Sequence, residues 1–66
     1  MADKVVNRVQ QLRQAASVTQ EELAERVGVS RQTIIAIEKG NYTPSVSLAL
    51  KLARYFKRGV EDIFSI

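Results

Sequence analysis

The chain has 66 residues and a formal net charge of +3, with no cysteine and no histidine. A chain this short buries only about 60% of the surface its unfolded form exposes, so its core is marginal without a staple. The composition excludes disulfides, the thiol nucleophile, the histidine base and the common zinc sites.

The first periodic segment runs from Val5 to Ala16. Val5, Val9, Leu12 and Ala16 recur at spacings of 4, 3 and 4, which is one face of a helix. Thr19-Gln20-Glu21-Glu22 opens a second helix as a capping box, with Glu21 and Glu22 favouring its positive end. Leu23, Ala24 and Val27 form its apolar stripe, and Gly28 stops it. Ser30 caps a third helix, Arg31 to Lys39, which buries Ile34 and Ile37 and stops at Gly40. After the loop Asn41 to Pro44, Ser45 is expected to cap a fourth helix, with Thr43 as a rival. Val46, Ala49, Leu50, Leu52, Ala53 and Phe56 are its expected core face. Gly59 begins a short last turn, Val60 to Phe64. Strand alternation is sustained nowhere, so the expectation is an all-α fold of five helices in one domain, 1–66.

Charge is distributed unevenly. Residues 1–25 carry −1, residues 26–58 carry +6, and residues 59–66 carry −2. The basic block comprises Arg26, Arg31, Lys39, Lys51, Arg54, Lys57 and Arg58, against Glu38 alone. It suits a polyanion partner or a solvated helix face, and charge alone leaves both open. Hydrophobic residues are 45% and charged residues 26%, the composition of a folded chain. No apolar run approaches the 18 or so residues of a membrane span. The N-terminus has no signal-peptide pattern, so the cytoplasm is the expected location. An enzyme would have to work from a few carboxylates, lysines and hydroxyls on a body too small for a deep pocket. A binding module is expected instead, with no cofactor, metal or small-molecule ligand.

The stretch Gln20 to Lys39 carries the most information. It reads as helix, tight turn, helix, with small Ala24 where the pair must approach and Gly28 in the turn. Leu23, Val27, Val29, Ile34 and Ile37 are apolar where the pair must anchor on the rest of the chain. With Leu12-Arg13, Pro44-Ser45 and Glu61-Asp62-Ile63-Phe64, the segment from Asn7 to Phe64 resembles the Cro and lambda-repressor-like helix-turn-helix family, also called XRE. That resemblance implies a five-helix fold, sequence-specific binding of double-stranded DNA, usually as a homodimer on a palindrome, and repression of transcription. It also implies an Arg13–Glu38 ion pair tying the first helix to the third, and a Gln20 that holds a phosphate and braces the recognition helix.

At about 100° per residue, Ile37 and Glu38 fall within about 60° of Ile34, on the inner face of the third helix. Gln32, Ile35, Ala36 and Lys39 fall opposite, on the face that would enter the major groove. Gln32 suits adenine and Arg31 suits guanine through paired hydrogen bonds. Ile35 meets either a thymine methyl or a neighbouring helix, and Ala36 allows close approach. Phosphate contacts are expected from Gln20, Lys39, Asn41 and Tyr42, with Ser30 and Thr33 near the same surface. Ser30 serves as a cap, a contact or both. Arg54, Lys57 and Arg58 are read as non-specific attraction or solvated charge.

Val60, Ile63, Phe64 and Ile66 crowd the last seven positions with large apolar side chains. They either close the core or form a dimer seam within 59–66. Ile63 is assigned to the core, and Val60, Phe64 and Ile66 to the seam. Two positions depart from the family pattern. Lys57-Arg58 stand where Gly and an aliphatic residue are common, and Gly59 stands where the last helix usually opens with Ser. The rival functions are an antitoxin-like protein-binding module, which would also bind its own promoter, and an RNA-associated or architectural use of the fold.

Overall fold

The computed structural model describes residues 4–66, so the first three residues of the expected 1–66 domain lie outside it. Five helices are joined by a minimal sheet. The order is β1 (Val6–Asn7), α1 (Val9–Ala15), α2 (Gln20–Val27), α3 (Arg31–Glu38), α4 (Val46–Phe56), α5 (Val60–Ile63) and β2 (Phe64–Ser65). The strands pair antiparallel, Val6 opposite Ser65 and Asn7 opposite Phe64.

Those strands correct both ends of the sequence reading. The first helix starts at Val9 rather than Val5, and the last turn stops at Ile63 rather than Phe64. The cause at the first end is Asn7, whose Oδ1 accepts from the Val9 N–H at 3.1 Å. That Asx turn starts α1 there and leaves the β-branched pair Val5-Val6 ahead of it. The Arg8 N–H then donates to the Ile63 carbonyl at 2.9 Å, which fastens the chain's two ends beside each other.

The capping side chains define the other starts. Thr19 accepts from the Glu22 N–H at 3.0 Å, and Glu22 accepts from the Thr19 N–H at 3.1 Å. Ser30 accepts from Thr33, and Ser45, rather than its rival Thr43, accepts from Leu48. At α5 the box is half complete. Asp62 accepts from the Gly59 N–H at 3.1 Å, but Gly59 has no side chain to return the bond.

Four helices end alike. Val18, Val29, Asn41 and Arg58 each donate to the carbonyl five residues back, on Arg13, Ala24, Ala36 and Ala53. The residue before each donor has positive φ: Ser17, Gly28, Gly40 and Lys57. This is the left-handed helix stop, which glycine adopts without strain. Two of the four stops do without glycine.

The core comprises Val9, Leu23, Ala24, Val27, Ile34, Ile37, Leu48, Leu52, Ala53 and Ile63. Leu12, Val18, Val29, Tyr55, Phe56, Val60 and Phe64 pack around it. Within α4 the expected core face needs correction. Val46 and Leu50 are 77% and 56% exposed, while Leu48 is buried. Packed on α2 and α5, the helix turns Leu48, Ala49, Leu52, Ala53 and Phe56 inward as one stripe, and Val46 and Leu50 fall outside it. Ala16 also leaves the expected face of α1, because it is the exposed C-cap.

Candidate nucleic-acid interface

Helices α2 and α3 form the motif. Ala24 is 3% exposed where they meet, and Gly28 turns the chain with φ of 75°. Ile34 and Ile37 anchor α3 completely. That anchoring turns its opposite face outward.

On the outer face Arg31 and Gln32 are exposed at the first two positions of α3. Ile35 and Ala36 are half-buried, so Ile35 is partly covered by the protein and partly presented. Lys39, Asn41 and Tyr42 are exposed just past the helix end. The hydroxyls of Ser30 and Thr33 lie 3.0 Å apart and bond each other, so both belong to the cap of α3.

Below this surface lies a charged clasp. Arg13 Nε donates to Glu38 Oε2 at 2.6 Å, and Arg13 Nη2 donates to Oε1 at 3.3 Å. Both side chains are nearly enclosed, 12% and 4% exposed. Arg13 Nη1 also donates to the Val18 carbonyl at 2.9 Å. Gln20 joins from the first position of α2, its Nε2 donating to Glu38 Oε1 at 3.0 Å. The Glu38 carboxylate therefore ties α1 and the start of α2 to the end of α3, and Arg13 adds the loop after α1. From the sequence, the ion pair and the bracing Gln20 are separate expectations. Their meeting on one carboxylate is legible only in the structure.

Arg13, Thr19, Gln20, Glu21 and Arg31 line a polar cleft where the starts of α2 and α3 converge. The N–H groups of Gln20 and Glu21 open α2, and no carbonyl precedes them to accept. Glu22 stands apart from these two. Its carboxyl is held below the usual value, chiefly by the Thr19 backbone N–H, then by the Thr19 hydroxyl and, more weakly, by Arg26.

Asn7 is a residue the sequence reading missed. Its Nδ2 donates to the Ile37 carbonyl at 2.8 Å across 30 positions of chain. A second hollow, at the end of α3, is lined by Lys4, Val5, Val6, Asn7, Glu38, Lys39 and Gly40. No local sequence signal marks this contact, because it depends on the terminal strands.

In and around β2, Val60 and Phe64 are half-buried, Ile66 is 82% exposed, and Ile63 is in the core. Val5, Glu61, Phe64, Ser65 and Ile66 line a shallow apolar hollow there. Arg54, Lys57 and Arg58 are exposed on and after α4. Among the described residues no helix is long and apolar enough to cross a membrane, and no acidic cluster could hold a metal ion.

Two short helices at a tight glycine turn, the second anchored by isoleucines and presenting Arg31 and Gln32, define a helix-turn-helix DNA-binding domain. Residues 9–63 match the family model described as helix-turn-helix, and the chain belongs to that family, of the XRE type. It is 55% identical over 58 residues to an uncharacterized HTH-type transcriptional regulator of Methanocaldococcus jannaschii, covering 88% of each chain. It is 30% identical over 59 residues to the cryptic phage CTXphi transcriptional repressor RstR of Vibrio cholerae, covering 89% of this chain and 53% of that one. The crystal structure of the restriction-modification controller protein C.AhdI from Aeromonas hydrophila superposes with a TM-score of 0.76 at 30% identity, covering 82% of each chain. The protein is a transcriptional regulator and not an enzyme.

Proposed function

We propose that this chain is a repressor that binds a palindromic operator in cytoplasmic double-stranded DNA as a homodimer. The observation that carries the reading is the pairing of two exposed, base-reading side chains, Arg31 and Gln32, with an α3 held rigidly from behind by buried Ile34 and Ile37. Arg31, Gln32, Ile35 and Ala36 face base edges in the major groove. Gln20, Ser30, Thr33, Lys39, Asn41 and Tyr42 hold the flanking phosphates, and the open N–H groups at the start of α2 add to that grip. Gln20 can take part because its amide carries two N–H bonds and Glu38 uses one.

The second subunit answers the shortage of stabilising devices in so small a chain. Val60, Phe64 and Ile66 form the seam, next to the apolar hollow at the sheet. A two-fold seam places two recognition helices about 34 Å apart on one side of the duplex. The repressor named RstR supports the direction of regulation.

Selection of bound sequences from random duplex DNA tests the reading. A palindromic consensus is the expected result. Absence of any enrichment removes sequence-specific regulation, and enrichment of a single half-site removes the homodimer.

A further inference from the structure

We propose that Asn7 is a positioning residue for operator recognition, locking the end of the recognition helix to the terminal strand pair and so setting the spacing of the two recognition helices in the dimer. The inference rests on the homodimer reading and extends it to a residue outside both the DNA face and the seam.

Every polar atom of the Asn7 side chain is engaged. Nδ2 donates to the Ile37 carbonyl at 2.8 Å, and Oδ1 accepts from the Val9 N–H at 3.1 Å. The Ile37 carbonyl lies in the last turn of α3, where helical partners run out. It accepts a second bond from Gly40, at 3.0 Å, where the helix stops. On its other side Asn7 belongs to β1 and pairs with Phe64 in β2. Phe64 is one of the three residues proposed for the seam. The Ile63 carbonyl just before it accepts from the Arg8 N–H. One amide therefore ties the end of α3 to β1, and the backbone bond of the next residue, Arg8, to Ile63 ties β1 to the segment that carries Phe64.

The geometry has a consequence for reading DNA. Half-sites differ by about 3.4 Å for each base pair inserted between them. A dimer selects one spacing only if each α3 is fixed relative to the two-fold axis. Buried packing of Ile37 and Ile63 supplies part of that stiffness, but apolar contacts are non-directional. The Asn7 amide supplies a directional tie at the point where α3 meets the sheet.

The test compares the parent protein with Asn7→Ser on three kinds of duplex: one half-site, the selected palindrome, and palindromes one base pair longer or shorter. A serine hydroxyl still accepts from the Val9 N–H, as in other short turns, but is too short to reach Ile37. Asn7→Asp, which keeps Oδ1 and loses the donor, repeats the comparison should the serine variant fold poorly. The expected result is half-site affinity close to the parent's and a several-fold loss of preference for the selected spacing. Spacing preference retained in full overturns the proposal. So does an equal loss on all duplexes, which would mark Asn7 as a stability residue only. A parent protein without any spacing preference overturns the homodimer reading first, and this proposal with it.

Discussion

Glu38 holds Gln20 in place: the Gln20 Nε2 donates to Glu38 Oε1 at 3.0 Å, on the same carboxylate that pairs with Arg13. The ion pair that stiffens the fold thus also orients a side chain at the DNA face. Glu38→Ala leaves a nearly enclosed Arg13 without its partner, and the expected loss of stability is about 3 kcal/mol. Chemical denaturation measures it. An unchanged melting temperature would show that the pair contributes nothing.

The roles assigned across the surface separate in binding experiments. Arg31→Ala or Gln32→Ala is expected to relax preference at one base position per half-site, at a cost of about 1–3 kcal/mol. Gln20→Ala is expected to weaken every sequence by a similar factor, since a phosphate contact carries no base information. Competition binding against a panel of single-base operator variants distinguishes these patterns. A change of base preference in Gln20→Ala contradicts the assignment.

Within α4, two leucines two positions apart should behave oppositely. Leu48 is 5% exposed and Leu50 is 56% exposed. Leu48→Ala is expected to cost about 2–5 kcal/mol, from lost burial and the cavity left behind. Leu50→Ala is expected to change stability by no more than about 0.5 kcal/mol. Parallel urea titrations of the two variants decide the matter, and equal losses would place both leucines in the core.

These leucines show where the sequence was legible. Helices α2 and α3 read correctly because caps, stripe and glycine stops agree at each end. Helix α4 is apolar on more than one side, so composition could not choose its inner face. Packing of α4 on α2 and α5 chose it. The two-residue strands were invisible because alternation needs more than two residues to register. The Gln20–Glu38 and Asn7–Ile37 contacts span 18 and 30 positions, and no local pattern encodes them.

Lys57 illustrates a stop that composition hides. It takes φ of 57° at the end of α4, where the family pattern favours glycine. A left-handed conformation costs a side-chain-bearing residue about 1–2 kcal/mol. Glycine removes that strain but loses about 0.5–1 kcal/mol more backbone entropy on folding. Lys57→Gly is therefore expected to raise stability by up to about 1 kcal/mol, seen as a higher melting temperature. Lys57→Ala keeps the strain and should bring no such gain.

Glu22 gives the fold a dependence on acid. The Thr19 backbone N–H, followed by its hydroxyl, holds the Glu22 carboxyl below its ordinary value of 4.5. The folded state therefore binds its proton less readily than the unfolded state does. The resulting stabilisation is complete above the unfolded value and is lost as the pH falls through the lower folded value. Glu22→Gln keeps an oxygen to accept from Thr19 but has no charge to titrate. Its stability relative to the parent should be lower at neutral pH and converge with the parent's in acid. Denaturation curves collected across that range check the sign, and a gap that widens as the pH falls would contradict it.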